Sequence, residues 1–589
     1  MDSVILRNAS SFYITTPIFY VNDVPHIGHA YTEVAADVLV RWHRQAGEDV
    51  WLLAGTDEHG QKILRTAAAQ RLSPAEWTDR LVHDSWRPLL EALRISADDF
   101  IRTTEDRHKV VVIAFLTLLR EKGLVYEGTY EGFYCVGCEE YKQESDIIAG
   151  TGAFAGQVLC PVHARSVDVV NEKNYFFKMS AFQDRLLEML ADEEFLRPAA
   201  VRNEILAFVG SGLKDISITR SSFDWGVEVP WEPGHVVYVW FDALLNYISG
   251  IGWGSDVEEF DRRWPDVHII GKDIARLHAV LWPAMLMAAD LPVPKRIVAH
   301  GWLLVNGEKM SKSNATGIGP EQIVKAFGID AFRYYFVRSI VFGQDGSFSW
   351  DDIHRRYNAD LANGLGNLVS RTIAMITKYR AGIVPEAAAP TAAEDEVRHT
   401  ITQARANASA AIDRFALSEA LGQVWTIVER LNSYITEQTP WSLARDEAQA
   451  HRLDTVLNTV AEGLRELAVL LRPFLPDTAQ AIWAGLGAEA VCGDLRRSDG
   501  GEGRGRRQPP EGCRHRRRAA ALPPHRAGGG DRHRGGTDAR LSLTAEEMIE
   551  VARTTAARSA RRWTNSSTLS QQRRRARTDA QKDALLAQD

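Results

Sequence analysis

Residues 11–29 read SFYITTPIFYVNDVPHIGH, and the fold follows from their order. An apolar run of β-formers ends at Thr16-Pro17 and an irregular segment follows. His26-Ile27-Gly28-His29 then opens a stretch from Ala30 to Arg44 with helical amphipathicity. This is strand, loop and helix N-terminus. The unpaired N–H groups and partial positive charge of a helix N-terminus suit a phosphate. His26 and His29 are predicted to stand at that end, with Gly28 between them letting the backbone come close to a nucleotide. Alone, the tetrapeptide is equally a capped helix with surface histidines.

A second phosphate element lies far downstream. It is Lys309-Met310-Ser311-Lys312-Ser313, inside the Gly/Asn-rich segment GWLLVNGEKMSKSNATGIGP. Two lysines and two serines on such a loop can surround a triphosphate and follow its charge as a phosphoryl or adenylyl group moves. With both elements present, the sequence resembles the class I aminoacyl-tRNA synthetases, whose signatures HIGH and KMSKS stand here unaltered. In detail it is similar to the methionyl family of that class, over nearly everything from Phe12 to about Leu486. The resemblance implies a Rossmann-type parallel-sheet catalytic domain split by a zinc-knuckle insertion and followed by an α-helical anticodon-binding bundle.

Composition agrees with a multidomain globular protein. The 589 residues, of mass 65.7 kDa, are 45% hydrophobic and 25% charged, with a formal net charge of −8. Any nucleic-acid face must therefore be a local basic patch, because the global charge gives no attraction to a polyanion. No apolar run is long enough for a membrane span and the N-terminus lacks the order of a signal peptide, so the expected compartment is the cytoplasm. Five cysteines in so long a chain do not make a disulfide framework.

Three of those cysteines have metal-ligand spacing. Cys135-Val136-Gly137-Cys138 and Cys160-Pro161-Val162-His163 are two ligand pairs, each bracketing two residues. Tight turns of this kind aim two donors at one ion, and four protein ligands make a closed, structural zinc site. The segment from Leu124 to about Trp225, short and rich in Gly, Tyr and charge, reads as an insertion between two halves of the sheet.

On either side of it the pattern is strand alternating with helix. Val50 to Ala54 is a short apolar strand, and Asp57 lies at its carboxyl end, where a carboxylate caps the next helix or receives an ammonium. Val236 to Asp242 and His268 to Asp273 read as two buried parallel strands. Trp240, Ala243 and Tyr247 fall on one side of a turn, while Ile274, His278 and Trp282 recur at helical spacing. The resemblance gives these positions roles. It implies that Asp57 and Arg220 hold the polar groups of methionine. Ile18, Tyr20, Trp240, Ala243, Tyr247, Ile274 and His278 form the side-chain pocket, and Leu244 departs from the proline of some members.

From Ile329 the chain reads as almost wholly helical, with long amphipathic helices from Tyr357 to about Leu486. Through the resemblance, Asn367, Arg371 and Trp441 read the anticodon by hydrogen bonds and stacking. Beyond about Cys492 the sequence is crowded with Arg, Gly and Pro and reads as a disordered extension or a shifted reading frame. The expected divisions are 1–122 and 226–328 for the two catalytic halves, 123–225 for the insertion, 329–356 for a stem-contact linker, 357–491 for the bundle and 492–589 for the extension.

The implied reaction is methionine–tRNA ligation. His26, Gly28, His29, Lys309, Ser311 and Lys312 would hold ATP with Mg2+, while His26, His29, Lys309 and Lys312 stabilise the transferring phosphates. Cys135, Cys138, Cys160 and His163 would hold one structural Zn2+. The partner is tRNA(Met), and a monomer is expected. Another class I synthetase, or a non-catalytic tRNA-binding paralogue, is the alternative; the short insertion speaks against the editing enzymes and the intact signatures against a paralogue.

Overall fold

The computed structural model describes residues 11–488 apart from positions 143, 152–153, 162–164, 266, 306–307 and 310–317. Seven strands make the main sheet, in which Leu196–Arg197, Arg296–His300, Val267–Gly271, Ser11–Thr15 and Asp49–Asp57 lie side by side. Asp99–Arg102 pairs with the far side of Asp49–Asp57. Phe19 and Arg102 both pair with Thr56, so Phe19–Tyr20 resumes the row of Ser11–Thr15 after the break at Thr16-Pro17-Ile18. Every pairing is parallel, as the strand and helix alternation predicts.

Ser11–Thr15 is the pivot of this sheet. The chain builds outward from it to Asp49–Asp57 and Asp99–Arg102, then returns to add Val267–Gly271 and Arg296–His300 on its other side. Such a reversal leaves a crevice beyond the carboxyl ends of the two central strands. The Ile27–Gln45 helix begins there, three residues before the expected Ala30, and buries Val34, Val38 and Leu39 among others. Each such side chain, fully buried, stabilises the layer by roughly 1.5–3 kcal/mol.

The interval 123–225 holds a four-stranded antiparallel sheet whose long arms are Val125–Cys135 and Asp168–Phe177. It is not wholly apart from the catalytic core, because Leu196–Arg197 leaves it to form the edge of the main sheet against Arg296–His300.

One strand expectation is corrected. Only Val236–Val237 of the apolar run to Asp242 is extended, and it pairs antiparallel with Thr219–Arg220 outside the main sheet. From Val239 to Leu244 the chain is helical. A buried apolar run of this length has no periodicity to separate strand from helix. The strand that does join the sheet, Arg296–His300, was not anticipated. Ile274 to Trp282 is also not one regular helix: a 3-10 turn, Lys272–Ile274, precedes a π-helical stretch, Leu277–Leu281, before the α-helix resumes at Trp282.

Beyond Ile329 the expected helices are present, the longest being Ala392–Asp413, Leu417–Gln438 and Ala450–Leu471. One strand interrupts them, Gly346–Phe348, paired in parallel with Leu303–Val305. Among the described residues, no helix is long and apolar enough to cross a membrane. The expected extension at 492–589 lies outside the described residues.

Candidate active site

His26 is the N-cap of the Ile27–Gln45 helix and His29 stands in its first turn. The Gly28 N–H donates to His26 Nδ1 at 3.1 Å, and the His26 N–H donates to His29 Nδ1 at 3.2 Å. An Nδ1 that accepts a hydrogen bond carries no proton, so a neutral ring in either position keeps its proton on Nε2. Burial does keep them neutral. It lowers His26 to about 4 against a small opposing pull from Asp273, and lowers His29 well below the ordinary imidazole value with a further contribution from His26. The two rings stack with centroids 3.8 Å apart. The tetrad therefore offers two uncharged Nε2–H donors at a helix N-terminus, at the switch point of the sheet.

Asp57 ends the Asp49–Asp57 strand opposite Tyr20. Its side chain is buried and Oδ1 has no hydrogen-bond partner. Burial raises its pKa well above the usual carboxylate range, and the nearby Asp242, Glu139 and Glu58 push the same way. An acid so placed is short of a cation. Gly55, on the same strand, is required for this packing, since a Cβ there would come within 2.8 Å of Ile18 and 2.2 Å of the Ile101 carbonyl.

Two of the expected pocket residues, Tyr247 and His278, are bonded to each other. The Tyr247 hydroxyl lies 2.7 Å from His278 Nε2, while His278 Nδ1 lies 3.1 Å from the Ile274 carbonyl. The carbonyl can only accept, so His278 Nδ1 carries the proton and Tyr247 donates to Nε2. Burial holds His278 down at about 4. Ala243 is buried, and Ile18, Tyr20, Trp240 and Ile274 are half-buried, leaving part of each surface for a ligand. Trp282 donates to His268 Nε2 at 3.0 Å, and the Tyr247 and His268 rings lie 4.3 Å apart.

Two groups beside the pocket carry no sequence motif. Asp242 is fully buried between His59 Nδ1 at 2.7 Å and His108 Nε2 at 2.8 Å, contacts that lower it to about 2 despite burial. Glu139, next to Cys138, receives the Tyr20 hydroxyl at 3.0 Å. Only the tertiary fold brings these residues together; a pairing of buried carboxylates with histidines from three elements leaves no local signal.

The remaining expected residues are distributed as follows. Lys309 closes a short strand, Glu308–Lys309, that pairs antiparallel with Leu303–Val305. Ser311 and Lys312 lie outside the described residues. Arg220 is buried. Its guanidinium pairs with Glu172 at 3.1 Å and lies over the Tyr134 ring at 4.0 Å, which in turn bonds Glu139. In the helical half, Asn367 is exposed at the start of Asn367–Arg380. Arg371 lies 5.8 Å from the ring of Trp441, which is 39% exposed, so two of the three anticodon candidates share one face.

The knuckle sulfurs fit a zinc ion. Those of Cys135, Cys138 and Cys160 lie within 4.8 Å of one another, with Cys138 and Cys160 at 3.6 Å. Tetrahedral ligands with Zn–S of about 2.3 Å stand about 3.8 Å apart. The fourth expected ligand, His163, lies outside the described residues.

Comparison with known proteins agrees with this arrangement. The family described as tRNA synthetases class I (M) matches residues 12–373, and the anticodon binding domain of methionyl tRNA ligase matches residues 384–493. A methionine–tRNA ligase of Streptomyces coelicolor is 53% identical over 494 residues, covering 83% of this chain and 92% of the relative. That of Thermotoga maritima is 44% identical over 475 residues, covering 80% and 74%. The solved structure of Mycobacterium tuberculosis methionyl-tRNA synthetase in complex with methionyl-adenylate is 40% identical with a TM-score of 0.79, covering 81% of this chain and 94% of that one. A parallel sheet with a neutral histidine pair at its switch point, a cysteine knuckle and a helical domain are thus found with both family matches in one chain, which belongs to the methionyl-tRNA synthetases of class I.

Proposed function

We infer that this chain is a methionine–tRNA ligase in which Asp57 receives the α-ammonium of methionine and the His26–His29 pair receives the phosphates of ATP. The single observation that carries the site assignment is Asp57 Oδ1, a buried acceptor with no hydrogen-bond partner at a strand end beside an aromatic pocket. A substrate ammonium would satisfy it and hold it ionised.

In the first step a methionine carboxylate oxygen attacks the α-phosphorus of ATP. The bond from that phosphorus to the bridging oxygen of the β-phosphate breaks, and pyrophosphate leaves. No protein nucleophile is required. The chain's part is to align two anions and stabilise the added charge at the five-coordinate phosphorus. The Nε2–H groups of His26 and His29 suit that charge without repelling the Mg2+ that accompanies ATP. Gly28, Lys309, Ser311 and Lys312 complete the ATP site in this reading. The side chain of methionine lies among Ile18, Tyr20, Trp240, Ala243, Tyr247, Ile274 and His278, where sulfur–aromatic contacts favour it by roughly 0.3–1.5 kcal/mol. Arg220 supports the polar end from behind Tyr134.

In the second step the 2′-hydroxyl of the terminal adenosine of tRNA(Met) attacks the methionyl carbonyl, and AMP leaves. Asn367, Arg371 and Trp441 bind the anticodon. Cys135, Cys138, Cys160 and His163 would hold a structural Zn2+, which would supply folding stability rather than chemistry. We place the active form as a monomer in the cytoplasm. Exchange of labelled pyrophosphate into ATP across a panel of amino acids tests the assignment: exchange with methionine alone is expected, and exchange driven by leucine, isoleucine, valine or cysteine instead would overturn it.

A further inference from the structure

The turn that carries the second knuckle cysteine reaches into the amino-acid pocket. Glu139 follows Cys138 with a left-handed φ of 53° and is only 2% exposed. Its carboxylate takes three donors from three elements: the Tyr20 hydroxyl at 3.0 Å, the Lys62 backbone N–H and the Tyr134 hydroxyl. Its carbonyl accepts from the Tyr238 hydroxyl at 2.8 Å. The backbone beside it is engaged too. Trp240 Nε1 donates to the Cys138 carbonyl at 3.2 Å, and Lys62 Nζ to the Gly137 carbonyl at 3.3 Å.

These partners are not scattered. Tyr20 and Trp240 are two of the pocket residues, Lys62 lies in the first turn of the helix that follows Asp57, and Tyr238 immediately precedes the Val239–Leu244 helix that carries Trp240 and Ala243. Gly60 keeps room for the junction, because a Cβ at that position would stand 2.7 Å from the Tyr20 hydroxyl and 3.1 Å from Glu139. A buried carboxylate that satisfies three donors from separate elements fixes their relative positions, since loss of the acceptor would leave each donor without a partner. A side chain needed only to close the turn between two strands has no reason to reach the Tyr20 hydroxyl.

We propose that Glu139 is a positioning residue for amino-acid recognition, holding Tyr20 and the start of the Gln61–Ala69 helix in the conformation that receives the substrate, and that the knuckle turn fixes Trp240 in the same way. This rests on the reading of Asp57 and its neighbours as the methionine site. Glu139 touches no reacting atom in that reading; it acts through Tyr20.

The test uses the full chain with zinc bound. Methionine affinity is read without ATP from tryptophan fluorescence, and metal content by elemental analysis, for the wild type, Glu139→Ala, which removes the acceptor outright, Tyr20→Phe and the double variant. Either single change is expected to weaken methionine binding about tenfold or more, the usual cost of losing one hydrogen bond to a charged group. Zinc content should stay at the wild-type level, and in Glu139→Ala the rate of pyrophosphate exchange at saturating methionine should change by less than about threefold, so that KM moves and kcat does not. The double variant should be no weaker than Glu139→Ala alone, because both changes break the same contact. Unchanged affinity in Glu139→Ala, additive losses in the double variant, or a loss that tracks zinc content would overturn the proposal. If Glu139→Ala does not fold, Tyr20→Phe decides alone: it leaves the knuckle intact, and unchanged affinity in it overturns the proposal. Failure of the wild type to bind methionine would instead overturn the site assignment itself, and with it this inference.

Discussion

Arg333 Nη2 and Asp37 Oδ2 meet at 2.7 Å with both side chains fully buried. Asp37 lies on the helix that the histidine tetrad begins, and Arg333 on Ile329–Ser339, the first helix of the helical half. The same guanidinium donates to the Leu93, Pro473 and Phe474 carbonyls at 3.1, 2.8 and 2.8 Å. One side chain thus ties the catalytic helix, the turn after Ala92 and the turn between the Ala450–Leu471 and Pro476–Gly485 helices. Asp37 also accepts from Arg41 at 2.7 Å and from the Ser96 N–H at 2.8 Å.

Removing Arg333 should therefore be costly. Arg333→Met leaves buried Asp37 without one of its two cations and three carbonyls without a donor, and a destabilisation of about 3–5 kcal/mol is expected in denaturant unfolding. Asp37 is held down to about 2, with Arg41 and Arg333 as the first lowering causes against burial. Its folded pKa is below the unfolded value of about 3.9, so the unfolded chain binds the proton more readily. The contribution is present above about pH 4, and roughly 2–3 kcal/mol of it is lost as the pH falls toward 2. Unfolding free energies measured from pH 6 down to 2.5 check this: Asp37→Asn should flatten that acid-side slope, and an unchanged slope would count against it.

Asp57 has the opposite shift, and its consequence falls on binding. An ammonium binds the ionised carboxylate, but burial and the neighbouring Asp242 and Glu139 favour the protonated form. Methionine affinity should therefore weaken as pH falls through a value above the ordinary carboxylate range, with a proton released on binding at lower pH. Calorimetry in buffers of different ionisation enthalpy measures that proton. Asp57→Asn should bind methionine at least tenfold more weakly and release none; an affinity in the wild type that is flat from pH 5 to 8 would contradict the assignment.

The parts of this site that a local rule governs were legible in the sequence. A cap, a turn glycine and a ligand pair each act within four residues, so the histidines at the helix N-terminus, the strand end at Asp57 and the grouping of the Cys135, Cys138 and Cys160 sulfurs are where the spacing predicts. The strand expected from Val236 to Asp242 failed because an apolar run carries no period. The helix there begins after Tyr238, whose hydroxyl is bound to the Glu139 carbonyl 99 positions earlier in the chain. Arg296–His300 was hidden for the converse reason, since one buried strand between prolines and a glycine is too short to show alternation. The Asp242 and Glu139 clusters could not be read at all, since His59, His108 and Tyr20 come from elements that only the parallel sheet brings into contact.

Zinc should be present at one atom per chain and be lost from Cys160→Ser. The Cys138 and Cys160 sulfurs are already at a ligand–ligand distance, 3.6 Å, and substituting oxygen for one sulfur removes a thiolate from a site that has no spare donor. Elemental analysis of freshly purified protein measures this directly, and the variant should also unfold at a lower temperature. Full zinc content in the variant would exclude Cys160 as a ligand.

Trp441 and Arg371 should matter for tRNA and not for adenylate formation. The indole is partly exposed and within 5.8 Å of the guanidinium, a pair suited to an unstacked base. Trp441→Ala is expected to raise KM for tRNA through the loss of about 1–3 kcal/mol of stacking while leaving methionine-dependent pyrophosphate exchange unchanged. Equal losses in the two assays would mean that the ring packs the bundle and does not contact RNA.

Glu33 gives a prediction of the opposite sign to that for Asp37, four residues away on the same helix. It is fully buried; Oε1 accepts from the Thr16 hydroxyl at 2.9 Å, and Oε2 has no partner. Burial pushes it up to about 8, with Asp37 adding to the shift and the Thr16 hydroxyl only partly opposing it. Here the folded chain binds the proton more readily than the unfolded chain, so stability is fully present below about pH 4.5 and declines as the pH rises toward 8. Glu33→Gln keeps an acceptor for Thr16 and cannot ionise. It should therefore gain on the wild type progressively with pH, by about 2–5 kcal/mol at pH 8 and far less at pH 5. Urea unfolding of both proteins at pH 5, 6.5 and 8 reads the difference: a gain that grows with pH is expected, and a difference independent of pH would show that Glu33 does not hold its proton in the folded chain.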